Sequence, residues 1–187
     1  ITLISELGLY PGLLSSGGRL NPRGITNNLI NPCNIETVME QISCEVAGVY
    51  LAIHDLGVAP VVLLKTVDER YIPIFIGFFE AVSINTALNG PPPPRPLTHD
   101  LFSDTLAALG AGLREIRIDS IDDGVYYATL CLDTQMGDLS IDCRPSDGIA
   151  LAVRKNALVF IDETLLSESA VTRDQLPELR EFSDYRL

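Results

Sequence analysis

The chain has 187 residues, with 25 acidic and 13 basic side chains, a formal net charge of −12 and 47% hydrophobic residues. This length favours a single domain with a sizeable core, and a charged fraction of 20% excludes a wholly disordered chain. The excess of acid argues against a protein that coats nucleic acid non-specifically, because such proteins present an excess of Lys and Arg.

The charge is distributed unevenly along the chain. Residues 1–38 contain two acids and two bases, whereas the remaining residues contain 23 acids and 11 bases. The neutral stretch has an apolar start that is interrupted by Glu6 and Pro11 and lacks a basic region, so we predict neither a signal peptide nor a membrane span, and a cytoplasmic location. The predicted organisation is a loosely structured extension over 1–38, a domain over 39–170 and a helical C-terminal tail over 171–187.

Residues 42–76 are predicted to form three strands joined by short turns. Val, Ile, Leu and Tyr are concentrated in three runs, and the stretches between these runs are polar or contain glycine, a pattern typical of hairpins. The predicted strands cover residues 42–51, 59–67 and 71–76.

Two helices separated by a run of prolines are predicted next. Helical spacing of apolar residues begins at Phe78 and ends before Gly90. Residues 91–94 are all proline and cannot continue a helix, so we expect a rigid extended connector there. Thr98 predicts the N-cap of the second helix, and Gly110 predicts its end.

The second half of the domain contains three more strands, followed by helix, strand and helix. The turn signal is residues 122–124, Asp-Asp-Gly, and Ser146 predicts the N-cap of a third main helix. Hairpin-length connections favour antiparallel pairing, so the sequence predicts a single α+β domain, with a mostly antiparallel or mixed sheet and three main helices packed on it. The predicted strands are 113–121, 125–133, 139–143 and 157–161, and the predicted helices are 147–155, 163–170 and 175–182.

Two segments share a design that could bind an anion. Residues 95–100 and 144–147 each run from Arg-Pro through a hydroxyl residue to an Asp in the first turn of a predicted helix. An arginine beside a helix N-terminus suits phosphate or carboxylate groups. The predicted phosphate-binding residues are Arg95, Thr98, Arg144 and Ser146.

Two purely structural interpretations of these segments remain open. Ser, Thr and Asp are common at helix N-termini, so both segments are also explained as two well-capped helices. The arginines could instead form internal ion pairs, Arg95 with Asp147 or Arg144 with Asp100. A network of such pairs could fix a dimer rather than bind a ligand.

Acid–base and metal chemistry could be supplied by residues near the same helix starts. His99 is one of two histidines, and the positive end of a helix dipole favours a neutral imidazole, which can accept a proton or bind a metal. A hydrogen-bonded capping role explains His99 equally well. Carboxylates are the ligands that Mg²⁺ and Mn²⁺ use beside phosphates. The predicted catalytic residues are His99, Asp100 and Asp147, and the predicted metal ligands are Glu80, Asp100, Asp142 and Asp147.

The motifs around these residues resemble those of the bifunctional nuclease family, a small domain found in bacteria, archaea and plants. The resemblance rests on IFIGxxEAxxI at residues 74–84, PRPLTHDL at 94–101 and DCRPSDGIALAVR at 142–154, which occur in the order and spacing of the family. It covers about residues 42–167. Cys143 and Gly148 stand where the family more often has alanine. The resemblance implies a compact α+β domain, nuclease activity on both DNA and RNA, and dimers.

Three hypotheses follow from these residues. The first is a nuclease assisted by Mg²⁺ or Mn²⁺ that acts on DNA or RNA and that forms a homodimer. Its substrate binding should be weak and salt-sensitive, because the negative charge lies on the same domain and a local basic cleft would depend on residues such as Arg95, Arg144 and Arg154. The second is a non-catalytic regulatory module that binds a small anion, and the third is a dimeric structural protein.

Overall fold

The structure is a computed structural model that describes residues 40–54 and 57–184, so the extension predicted over residues 1–38 lies outside the described residues. In this part of the chain, eight strands and four helices form one domain. The strands are β1 (Gln41–His54), β2 (Gly57–Thr66), β3 (Tyr71–Phe75), β4 (Gly112–Asp122), β5 (Val125–Thr134), β6 (Gly137–Cys143), β7 (Leu158–Asp162) and β8 (Glu178–Glu181). The helices are α1 (Phe78–Asn89), α2 (Thr98–Ala108), α3 (Pro145–Lys155) and α4 (Glu163–Ser169), with 3₁₀ turns at Arg173–Gln175 and Phe182–Asp184.

All the described strands belong to one mixed sheet. Seven of them follow the order β3-β2-β1-β7-β4-β5-β6, and β8 pairs with β1. The pairing of β4 with β7 is parallel, and the other pairings between described strands are antiparallel. The predicted α+β class and the predicted mixed sheet are therefore confirmed.

A tight turn places the start of β5 beside the start of α3. Asp123 and Gly124 have φ of 48° and 75°, the left-handed backbone that a two-residue type I′ hairpin requires. The beginning of β5 pairs with the end of β6, where Ala128 lies opposite Cys143. Because α3 follows β6 immediately, the tip of the β4–β5 hairpin lies next to the N-terminus of α3.

One hydrophobic core lies between the sheet and the helices. On β4, Ile116 and Ile118 are fully buried in this core, whereas the alternating Arg117 on the same strand stays partly exposed. Ile84 of α1 and Ile149 of α3 pack into the same core. Since α3 also packs against both α1 and α2, the core holds the starts of these three helices close together.

The helix predicted over residues 175–182 is wrong. Residues 173–175 form a 3₁₀ turn, and β8 then pairs with residues 50–53 of β1. Pro177 favours an extended conformation at the preceding Leu176, whose ψ is 144°, and the open edge of β1 supplies ladder hydrogen bonds that local helix propensity cannot match. The sheet therefore extends beyond residue 170. None of the described helices is long and apolar enough to cross a membrane.

Candidate functional site

The start of α2 is capped by a different residue from the one predicted. The N-cap is Leu97, and the Asp100 carboxylate accepts a hydrogen bond from the Leu97 backbone N–H at 2.8 Å. Thr98 is the first residue of the helix, so its prediction as the N-cap is wrong. Asp100 is the third residue of the helix, and its carboxylate satisfies the N–H of the N-cap residue, as the acidic residue of a capping box does.

The start of α3 lies two residues earlier than predicted. The helix begins at Pro145, with Arg144 as N-cap and no side-chain cap hydrogen bond. Proline presets a helical φ and needs no partner for a missing N–H at this position. Ser146 is therefore inside the first turn and buried, and its prediction as the N-cap is wrong.

A continuous polar network joins α1, α2 and α3. Arg154 donates from Nε to Asp100 Oδ1 at 2.5 Å and from Nη2 to Ser83 Oγ at 3.2 Å. Ser83 Oγ lies 2.9 Å from His99 Nδ1, and His99 Nε2 lies 3.3 Å from Asp147 Oδ1. The two segments singled out in the sequence are thus linked through Ser83, a buried residue of α1.

Arg144 forms the exposed end of this network. It donates from Nε and Nη2 to the two oxygens of Asp147, at 2.8 and 3.0 Å, and its Nη1 lies 3.0 Å from Glu80 Oε1. A Cβ at residue 77 would overlap the Glu80 carboxylate, so Gly77 gives Glu80 the room to reach Arg144. These contacts use three of the five guanidinium N–H groups, and 65% of the side chain remains exposed.

The hydrogen-bond partners favour one tautomer of His99. Arg154 can only donate, so Ser83 Oγ accepts from it, and the Ser83 hydroxyl hydrogen is then available for His99 Nδ1. This assignment places the imidazole hydrogen on Nε2, where it is donated to Asp147. The network therefore holds the imidazole ring in one orientation, with Nε2 directed at Asp147.

Arginine contacts keep the two first-turn aspartates ionised. Burial raises the pKa of Asp147, but hydrogen bonds and charge from Arg144 and His99 outweigh it, so the pKa lies below its ordinary value. Burial likewise raises the pKa of Asp100, and Arg154 with the Leu97 N–H outweighs it and lowers the net pKa. A carboxylate with a lowered pKa is a weak proton acceptor at neutral pH, so neither residue suits the role of general base.

A pocket of about 730 Å³, which we call the larger pocket, opens beside the network. Its volume falls in the range of small-molecule sites, and its walls combine apolar and aromatic side chains with a few polar groups. Five of the predicted site residues line it: Thr98, His99, Asp142, Arg144 and Asp147. The other lining residues are Phe102, Val125, Tyr126, Tyr127, Leu130, Ile141, Cys143, Gly148 and Leu151.

The remaining predicted site residues lie elsewhere. Glu80 and Ser146 line a smaller pocket of about 230 Å³, on the other side of Arg144. Arg95 is exposed, and no ion pair or hydrogen bond joins it to the described residues. Asp100 is held by Arg154, outside the lining of both pockets.

The internal ion pairs differ from the two that the sequence suggested. Asp147 pairs with Arg144, and Asp100 pairs with Arg154, so pairing of Arg95 with Asp147 or of Arg144 with Asp100 is wrong. The Arg154 side chain is 9% exposed and is therefore a buried structural cation rather than part of a basic cleft.

The predicted metal ligands do not assemble into a site that fits a divalent ion. Arg144 occupies the carboxylates of Glu80 and Asp147, and Arg154 occupies that of Asp100. Over residues 40–54 and 57–184, no three His, Cys, Asp or Glu side chains are arranged to hold a metal ion. Dependence on Mg²⁺ or Mn²⁺ stays a prediction.

Comparison with known proteins decides the family. The model of the bifunctional nuclease domain family matches residues 61–174, a range that contains the whole polar network and both pockets. The chain belongs to the bifunctional nuclease domain family. It is also similar to two proteins of Mycobacterium tuberculosis, "Uncharacterized protein MT1877" of strain CDC 1551 / Oshkosh and "Uncharacterized protein Rv1829" of strain ATCC 25618 / H37Rv. Each is 37% identical over 140 residues, which cover 67% of this chain and 84% of the relative.

Some residues of this family site were missed by the sequence analysis. Ser83 lies three residues after Glu80 and therefore on the same face of α1, a spacing that could have indicated it. Phe102 and the residues of the β4–β5 hairpin offered no such signal. The approach of Phe102 to α3 depends on the packing of α2 against α3, and that of the hairpin depends on the order of strands in the sheet.

Proposed function

We propose that this chain is a nuclease that hydrolyses phosphodiester bonds of DNA and RNA at the larger pocket. The observation that carries the proposal is that His99, Asp147 and Arg144, hydrogen-bonded to one another, line one open pocket in a bifunctional nuclease domain. The family indicates the reaction class, and the pocket indicates where substrate has access.

Arg144 is the proposed phosphate-binding residue. Glu80 and Asp147 hold its guanidinium in a fixed plane, and two N–H groups remain for a ligand. A planar guanidinium binds two phosphate oxygens at once. Both DNA and RNA carry these oxygens, so contact with the backbone supports activity on both.

His99 is the proposed proton-transfer group. Its imidazole lines the larger pocket and can both accept and donate a proton, whereas Asp147, with its lowered pKa, is a weak proton acceptor. The proton would be taken on Nδ1, with the Ser83 hydroxyl turning to accept from it. Asp147, 3.3 Å from His99 Nε2, would then stabilise the imidazolium. Asp100 acts through Arg154 and Ser83 and is proposed as a positioning residue, not as a catalytic one.

A non-catalytic anion-binding module is the second candidate. It is favoured by the low pKa of Asp147 and by the engagement of His99 Nδ1 with Ser83, which together leave the pocket without a free strong base. In that case Arg144 would bind a small anion and no bond would be cleaved.

Cleavage of end-labelled single-stranded DNA and RNA tests the proposal. We expect His99→Ala to lower the cleavage rate by roughly 10²-fold or more, whereas the control Asp174→Asn, at an exposed acid in a 3₁₀ turn, should cleave like the wild type. Equal cleavage by His99→Ala would overturn the proposed site. No cleavage by the wild type, with or without Mg²⁺ or Mn²⁺, would favour the anion-binding module.

Two further predictions can be checked on the same protein. Cleavage that survives EDTA would refute metal dependence and leave the site intact. The predicted homodimer is checked by light scattering on the eluted peak of a size-exclusion column, where a monomer mass would contradict it.

A further inference from the structure

Arg144 lies between two pockets. The larger pocket and the smaller pocket share three lining residues, Val125, Tyr126 and Arg144. We call these three residues the ridge. A ligand that crosses the ridge would contact Arg144 and enter a recess on either side of it.

Both sides of the ridge hold the guanidinium in place. Glu80 lines the smaller pocket and Asp147 lines the larger one, and each accepts a hydrogen bond from Arg144. The β4–β5 turn brings Val125 to the same place, where it is largely exposed. The two unused N–H groups of Arg144 are therefore held at an exposed crest between two recesses.

The recesses are mainly apolar. The larger pocket is lined by Phe102, which is 42% exposed, and by the apolar Leu130 and Ile141. In the smaller pocket, Phe75 and Ile76 line the wall. An exposed cation with an apolar recess on each side matches a phosphate flanked by two bases, because bases offer flat faces that stack on aromatic side chains.

The geometry points to unpaired nucleic acid as the ligand of this site, with one phosphate on Arg144 and the two flanking bases in the two pockets. This inference rests on the proposed function, and it names the substrate class. The bases of a duplex are stacked and paired inside the helix and cannot enter such recesses unless they are flipped out. Phe102 is the proposed stacking platform of the larger pocket, and its contact should tolerate every base.

This arrangement also explains how a chain with a net charge of −12 could bind nucleic acid. Base stacking on apolar walls supplies affinity that does not depend on positive charge. A single phosphate contact also predicts a weak dependence on salt. In a plot of the logarithm of the binding constant against the logarithm of the salt concentration, the slope should be only about −0.7.

Binding of a labelled single-stranded oligodeoxynucleotide with a cleavage-resistant phosphorothioate backbone tests the inference by fluorescence anisotropy. Phe102→Ala should weaken binding by roughly 5- to 100-fold. The matched control is Phe79→Ala, because Phe79 is 83% exposed and lines neither pocket, and this variant should bind like the wild type. The wild type should bind an abasic oligonucleotide of equal length more weakly than the normal single strand, and it should also bind the duplex more weakly.

Comparison of normal, abasic and duplex oligonucleotides separates the two-pocket arrangement from the nuclease activity. Equal binding of abasic and normal oligonucleotides by the wild type would overturn the two-pocket arrangement without any variant, and so would tighter binding of the duplex. Base-dependent binding without cleavage of a phosphodiester oligonucleotide would support the two-pocket arrangement and refute the nuclease activity. Cleavage of an abasic oligonucleotide as fast as a normal one would support the nuclease activity and refute the two-pocket arrangement. An absence of binding would overturn the two-pocket arrangement, whereas the nuclease activity is decided by the cleavage assay.

Discussion

Substitution of Asp100 by alanine should destabilise the protein more than removal of an ordinary surface acid. The Asp100 carboxylate caps α2 by accepting the Leu97 N–H, and it also neutralises Arg154 at 2.5 Å. Arg154 is 9% exposed and Asp100 is 24% exposed, so alanine would leave a largely buried guanidinium without a counter-charge.

The expected loss follows from these two contacts. An N-terminal cap contributes about 1 kcal/mol, and removal of one partner of a buried ion pair costs about 3–5 kcal/mol. Because Asp100 keeps some contact with water, the lower end applies to the pair, and Asp100→Ala should lower the free energy of unfolding by about 4 kcal/mol. Asp100→Asn keeps a cap acceptor and should lose about 1 kcal/mol less.

Urea denaturation followed by circular dichroism measures this loss. The matched control is Glu178→Ala, which breaks a 3.3 Å pair with Arg180 in which both side chains are at least 65% exposed, and which should cost less than about 1 kcal/mol. A loss for Asp100→Ala no larger than that of the control would refute the assignment of Asp100 to the structural network.

Two other substitutions test the packing and electrostatics of the fold. The pKa of Asp119 is raised, because burial outweighs the Thr129 hydrogen bond and the nearby arginine, which lower it. The carboxyl therefore stabilises the fold when it is protonated. This contribution is lost as the pH rises from the pKa of the unfolded state to that of the folded state. Asp119→Asn should thus raise the melting temperature at pH 7 and have little effect in acid, and a lower melting temperature at pH 7 would contradict this. A Cβ at Gly148 would lie 3.0 Å from Ile116 Cγ2 and 3.3 Å from Cys143 Sγ, so crowding of about 1–3 kcal/mol should offset the gain of about 1 kcal/mol in helix propensity. Gly148→Ala should therefore not stabilise the protein, and a melting temperature clearly above that of the wild type would refute the crowding against Ile116.

The helix starts could be predicted from the sequence, but their partners could not. Arg-Pro followed by Asp is a local pattern, and α2 and α3 begin within two residues of the predicted starts. The contact between Asp100 and Arg154 joins residues 54 positions apart. It depends on how α3 packs against α2, which no local pattern encodes.

The sequence predicted polar residues of the larger pocket, such as His99 and Asp147, but not its apolar walls. The Asp-Gly turn signal correctly indicated the β4–β5 hairpin, yet nothing in the sequence places that hairpin beside α3. The sheet order does so, because β5 pairs with β6 immediately before the helix. A second non-local pairing explains β8. Hydrogen bonds to β1 hold residues 178–181 extended, in a segment for which the sequence predicted a helix.

The paired state of Arg144 also revises the meaning of the acidic composition. The sequence suggested that scattered arginines would have to cluster into a basic cleft, whereas the site contains one exposed arginine held by two carboxylates. Recognition by one phosphate contact and apolar recesses requires little positive charge. An acidic surface is compatible with that mode of binding.

The most direct test of the proposed site is the rate at which Arg144→Gln cleaves an end-labelled single-stranded oligonucleotide. Arg180→Gln is the matched control, because Arg180 is equally exposed and lies on β8. We expect a loss of roughly 10²-fold or more for Arg144→Gln, an intermediate rate for Arg144→Lys, and wild-type cleavage by the control. Equal rates for Arg144→Gln and the wild type would contradict the proposed site.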